Sequence, residues 1–158
     1  LYTPVAWVLL SAKPALTMSA EGIRPSWGGL IPWDDVEAIA PTFLSTGDRR
    51  VYSLGIRLGN PHRYANSFTP AEVRASAAQV RMSGFLALLT GIGKELQDMP
   101  ADTYGQLAWT RAVSEGFDVV WSANILPQPV HEVAQQVISY GTAALQWQRG
   151  VPPGGLPE

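Results

Sequence analysis

The sequence predicts an α+β domain: a curled antiparallel sheet capped by a C-terminal helix, with a helical insertion in the middle. Three stretches carry that prediction. Along residues 51–58, Tyr52, Leu54, Ile56 and Leu58 share one face while Val51, Ser53, Gly55 and Arg57 share the other, the two-residue period of a half-buried strand. Residues 22–39 read as a strand, a Gly28-Gly29 turn, and a second strand interrupted at Pro32-Trp33-Asp34-Asp35. Val130, Val133, Ala134, Val137, Gly141, Ala144 and Leu145 form a broad apolar stripe at helical spacing.

In chain order, Val5 to Leu10 is β-prone and apolar on both faces, either a first buried strand or the remnant of a longer apolar segment. Leu16, Met18 and Ala20 alternate with Thr17 and Ser19, so 15–20 is a half-buried strand, turned back at Glu21-Gly22 against 23–27. Gly28 and Gly29 supply the positive φ of a two-residue hairpin. Pro32 cannot donate to a ladder and belongs at an edge or bulge, where Asp34 and Asp35 suit a kink. Adjacent strand residues point to opposite faces, so these two carboxylates diverge and act as turn acceptors for backbone amides. Val36 to Leu44 is extended, 45–48 is a turn, and the alternating strand follows. A meander of short strands has to curl or pack to protect its edges.

The middle changes character. Gly59-Asn60-Pro61-His62 stops the strand, leaving His62 in a loop. Thr69-Pro70-Ala71-Glu72 carries a capping box with Pro at the first helical position, followed by Val73, Ala77 and Val80 at helical spacing. Ser83-Gly84 bends that helix before the apolar run 85–89, which Gly91 and Gly93 end. Residues 94–111 are ambiguous, with a helical pattern around Leu107. Phe117, Val119 and Trp121 alternate as a last strand, Pro127-Gln128-Pro129 opens the final helix, and Gly150 closes it. The expected organisation is one domain over 1–150, with the insertion at about 69–111 and a Pro- and Gly-rich disordered tail over 151–158.

Composition narrows the function classes. The 158 residues are 46% hydrophobic and carry a net charge of −2, which suits one globular domain with a sizeable core. No basic run exceeds Arg49-Arg50, and a nucleic-acid binder needs a basic stripe. There is no cysteine, hence no disulfide framework, thiolate nucleophile or Cys-based zinc site. Nine Arg against two Lys, with abundant Ala, Gly and Pro, is the composition of a high-GC bacterial source. The longest apolar tracts, 5–10 and 85–89, fall well short of the roughly 20 residues of a membrane-spanning helix. The expected location is the cytoplasm, or the membrane if an upstream anchor was removed, since the chain starts at Leu1 rather than Met.

The strand 15–20, the Gly22-Ile23 pair and Ile31-Pro32-Trp33-x-Asp35-Val36 resemble the Gly-Ile … Ile-Pro-Trp-x-Asp-Ile pattern of bacterial pleckstrin-homology-like (PH-like) proteins. More narrowly, they resemble a family of small PH-like proteins, many with N-terminal membrane helices. Gly116-Phe117-Asp118 before a strand, then the helix from Pro129, is similar to how that family ends. The resemblance covers 15–58 and 116–146 and implies a PH-like barrel capped by the last helix. The family starts that helix from a Ser or Asp cap where this chain has Pro127-Gln128-Pro129, and 69–115 matches no motif.

Candidate chemistry is sparse. Gly91-Ile92-Gly93-Lys94 lacks the first glycine and the hydroxyl of a phosphate loop, because Leu88 and Glu95 stand in those places. His62 and His131 have no carboxylates placed to complete a metal site, and no nucleophile elbow is present. Asp34, Asp35 and Glu37 are better read as turn chemistry. A single Arg pair at Arg49-Arg50 in an acidic chain lacks the supporting field of a phosphoinositide site. No catalytic residue, metal ligand or cofactor is assigned. The expected function is a non-catalytic binding or scaffolding module for a protein or membrane-associated partner. The alternative is a small enzyme or ligand-binding protein whose small-molecule ligand sits in an apolar pocket lined by Trp27, Trp33, Trp109 and Trp121. Trp33 and Trp121 also fit as core residues, Trp33 being buried at the Pro32 kink. Finally, Phe85, Leu86, Leu88 and Leu89 are the candidate interface, with a homodimer as the expected assembly.

Overall fold

The computed structural model describes residues 15–46, 49–75 and 102–148. Its β-structure falls into two three-stranded antiparallel sheets. The first holds β1 (Leu16–Met18), β2 (Gly22–Pro25) and β3 (Ile31–Pro32), in that order. The second holds β4 (Val36–Thr46), β5 (Arg49–Leu58) and β6 (Val119–Ser122), so β4 and β6 are its edges. Helix α1 spans Pro61–Asn66, α2 starts at Pro70 and is described over 70–75, α3 spans Thr103–Val113, and α4 spans Val130–Gln148.

One curled sheet was expected, and two are found, with no closed barrel among the described residues. The cause is local. After Pro32 the backbone turns through a 3₁₀ turn, Trp33–Asp35, and a bulge between Val36 and Ala38, so the ladder of β3 is not handed on to β4. The hairpin between β2 and β3 is also longer than the two-residue turn expected of Gly28-Gly29. Ile23 pairs with Ile31, leaving 26–30 as loop, with Gly28 at φ 122° and Gly29 at φ 79°. That loop is held from outside: Gly29 N donates to Glu72 Oε2 (3.1 Å) and Leu30 N to Ser67 Oγ (2.8 Å). Acceptors about forty residues away are invisible to a local turn rule.

Both sheets feed one core. Leu16, Met18, Ile23 and Ile31 from the first sheet meet Leu54, Ile56, Leu58, Val119 and Trp121 from the second, with Val130, Val133, Ala134, Val137 and Ala144 of α4. Two indoles fasten the arrangement: Trp121 Nε1 donates to Ala15 O (3.2 Å) and Trp33 Nε1 to Ser19 O (2.7 Å). Each buried ring thus keeps its polar handle satisfied. The opposite face of the second sheet meets α3, where Thr42 Oγ1 donates to Ser114 O and the Phe117 ring lies over Gly55.

Several local expectations can be read directly. The capping box forms in both directions, Glu72 N to Thr69 Oγ1 (3.2 Å) and Thr69 N to Glu72 Oε1 (2.9 Å). Val73, expected on the helix's apolar stripe, is exposed, while Ala77 and Val80 lie outside the described residues. Leu54, Ile56 and Leu58 are buried as the alternation requires, but Tyr52 is exposed because the β4–β5 hairpin outruns the core. The stretch at Pro61-His62 is not a loop. Pro61 opens α1, whose fixed φ suits the first helical position, and Tyr64 on that helix is buried. Among the described residues, no helix is long and apolar enough to cross a membrane.

Candidate functional site

Helix α4 leaves a depression on each flank. The larger, about 700 Å³, is lined by Met18 and Tyr140 together with four polar side chains, Glu132, Gln135, Gln136 and Ser139. The smaller, about 280 Å³, runs between α4 and the start of β4. Its walls are mostly apolar: Trp33 and Val36 at its base, Ile39 on β4, and Ile138 and Leu145 on α4, with Glu37 the charged member. Apolar convergence with a few polar groups, here Glu37 and Thr142, is the pattern of a binding site, so the smaller groove is the candidate.

The sequence builds this groove from three local features. The 3₁₀ turn buries Trp33, which is 3% exposed, and its ring packs against α4 at Gly141. A Cβ at position 141 would stand 2.6 Å from the ring, so glycine is what lets helix and ring approach. Tyr140 flanks the same ring, with centroids 5.7 Å apart. Helical spacing then turns Val137 inward and leaves Ile138, 46% exposed, on the rim. The bulge at Glu37 splays the beginning of β4.

Behind the groove, carboxylates organise the corner where β5 meets α1. Three successive amides are taken up by two aspartates: Leu58 N donates to Asp118 Oδ2 (2.8 Å), Gly59 N to Asp35 O (2.8 Å) and Asn60 N to Asp35 Oδ1 (2.8 Å). Asp118 is also paired with Arg111 (Oδ1 to Nε, 3.2 Å). Burial pushes both carboxyls above the ordinary carboxylate range. At Asp35 the Asn60 amide and Arg63 oppose the shift while Asp34 and Glu37 add to it. At Asp118 the Leu58 amide, Arg111 and Arg57 oppose it, and Glu37 again adds to it. Asp34 points the other way, exposed and paired with Arg63 (3.1 Å). Asp34 and Asp35 therefore diverge, and Asp35 serves the backbone.

The four candidate pocket tryptophans are not brought together around the groove. Trp33 lines it. Trp27 instead packs on Trp121, centroids 5.3 Å apart, and its Nε1 donates to Tyr64 Oη (3.0 Å), which donates on to Gly28 O (3.0 Å). Burial holds the Tyr64 phenol far above its ordinary value. Trp109 is half-buried on α3. His62 stacks on Tyr104 (4.1 Å) and His131 is exposed at the start of α4. Arg50 lies over Phe43 (4.3 Å) and beside Glu115 (3.6 Å). Among the described residues, no group of three or more His, Cys, Asp or Glu could hold a metal ion. Phe85, Leu86, Leu88 and Leu89, the candidate interface, and Gly91 to Lys94 lie outside the described residues.

Sequence reasoning missed Glu37, Ile39 and Ile138 as groove residues. One signal was present: Ile138 is apolar yet sits off the α4 stripe, next to Val137 on it. No family model, no curated protein and no solved structure matches this chain.

Proposed function

We propose that this chain is a non-catalytic binding module of the PH-like kind, and that it holds a protein partner in the groove between α4 and β4. The single observation carrying the reading is that groove: apolar walls, an exposed Ile138 on its rim, and an open shape along one helix and one strand. An exposed apolar surface beside a preformed depression is what a partner covers. The Ile31-Pro32-Trp33 motif, on which the PH-like resemblance rests, supplies the base of this groove through Trp33, which supports the two readings together.

A photo-crosslinking amino acid at position 138, compared with one at the exposed position 131, tests it in cells of the source organism. A protein adduct of discrete mass from position 138, absent from position 131 and lost when Leu145→Glu is added, is the expected result. Equal labelling from both positions, or none from 138, overturns it.

A further inference from the structure

We infer that the partner enters this groove as an extended strand added to the edge of β4, which no other strand pairs among the described residues, with a Lys or Arg side chain set against Glu37. This rests on the protein-binding reading of the groove and adds the partner's form and charge.

The form follows from which way the backbone groups of β4 point. Asp118 N donates to Ile56 O and Leu58 N donates to Asp118 Oδ2, so Ile56 and Leu58 direct their polar groups toward β6. Polar groups alternate sides along a strand. Ile39, opposite Ile56, is therefore a non-hydrogen-bonded partner of β5, and its N–H and C=O point out of the sheet. Pro41, opposite Leu54, lies two residues on and faces the same way, which is where a residue without an N–H is tolerated. The β4 edge thus offers a donor and an acceptor at Ile39, beside the groove, and an acceptor alone at Pro41. An added strand can exchange both bonds with Ile39 and forfeits one at Pro41, which pins its position along the edge. The side chains it shares with the Ile39 face then point toward Ile138 and Leu145.

The charge follows from Glu37. Among the described residues it is the one charged side chain lining the groove, and it accepts no hydrogen bond and meets no cation there. Asp35 stands behind it, with Oδ2 buried and unpartnered among the described residues. Gly59 leaves the space between them clear: a Cβ there would lie 3.2 Å from Asp35 Oδ1 and 3.4 Å from Glu37 Oε1. A cationic side chain relieves the repulsion among these carboxyls, whereas an acidic one increases it.

Random twelve-residue peptides displayed on phage, selected against the full chain and resynthesised with a fluorophore, provide the probe. The expected winners alternate apolar residues and carry one Lys or Arg. N-methylation of every second amide should weaken binding by about tenfold or more and leave the intervening positions neutral, with Glu37→Lys favouring peptides in which Glu replaces the basic residue. Peptides lost with Ile138→Asp but indifferent to N-methylation and to charge overturn strand addition while leaving the groove as the binding site. Peptides indifferent to Ile138→Asp, or no enrichment, overturn both readings. If the chain sediments as a dimer that Ile138→Asp dissociates, a second copy occupies the edge and the inference fails.

Discussion

At the scale of single residues, Trp33 and Gly141 depend on each other. Replacing Gly141 by Ala gains about 1 kcal/mol of helix propensity, but forces a Cβ into a buried ring, an overpacking that costs about 1–3 kcal/mol. The ring is also tethered through Nε1 to Ser19 O and cannot slide away, so the clash wins. Gly141→Ala should therefore lower stability in urea melts, and Trp33→Ala should cost about 3–5 kcal/mol through the cavity it leaves. Asp35 gives a pH prediction. Its folded-state pKa lies above the unfolded value, so its contribution to stability is fully present below the ordinary carboxylate range and is lost as pH rises through the raised value. Asp35→Asn keeps an acceptor for Asn60 N and removes the charge. Relative to the parent, it should gain stability progressively as pH rises above the ordinary carboxylate range, measured as the difference in urea midpoints at each pH. Glu72 works in the opposite sense. The Thr69 amide leads the groups that hold its carboxyl below the ordinary range, so what it contributes is present above that range and fades as pH falls.

At the scale of elements, what could be read from the chain was what neighbouring residues decide. The capping box at Thr69 and Glu72 and the α4 stripe from Val130 to Ala144 are local patterns with local causes. For the stripe, Val137→Asp should bury an unpaired charge and cost several kcal/mol, seen as a large fall in melting temperature. A variant melting like the parent would mean that α4 is not docked. Glu115 is a second element-level case. It ends α3 at φ 62°, a left-handed conformation that costs a non-glycine residue about 1–2 kcal/mol. Its exposed pair with Arg50 offsets little of that, so Glu115→Gly should stabilise the protein by about 1 kcal/mol, checked by thermal melts. The elements read wrongly were decided at a distance. The 26–30 loop takes its shape from Ser67 and Glu72. Tyr64 makes α1 worth folding only because Trp27 and Gly28 wait for its hydroxyl. The groove joins Ile39 to Ile138, a proximity that no local pattern in either segment encodes.

At the scale of the whole molecule, the two sheets are joined by side chains rather than by a shared ladder, and this gives the fold an optical property. Trp27, in the loop of the first sheet, and Trp121, on β6 of the second, hold their indoles 5.3 Å apart at an interplanar angle of 37°. Two like chromophores that close and skewed couple their transitions, so the native protein should show a paired positive and negative band in the far-ultraviolet circular dichroism. Trp27→Phe or Trp121→Phe should each abolish that couplet. During denaturation the couplet tracks the contact between the sheets, while the helical signal of α4 tracks backbone order. If the first sheet can detach while α4 remains folded, the couplet should vanish at lower urea than the helix does. A single shared midpoint would instead mean that a junction made of side chains is as cooperative as a continuous ladder.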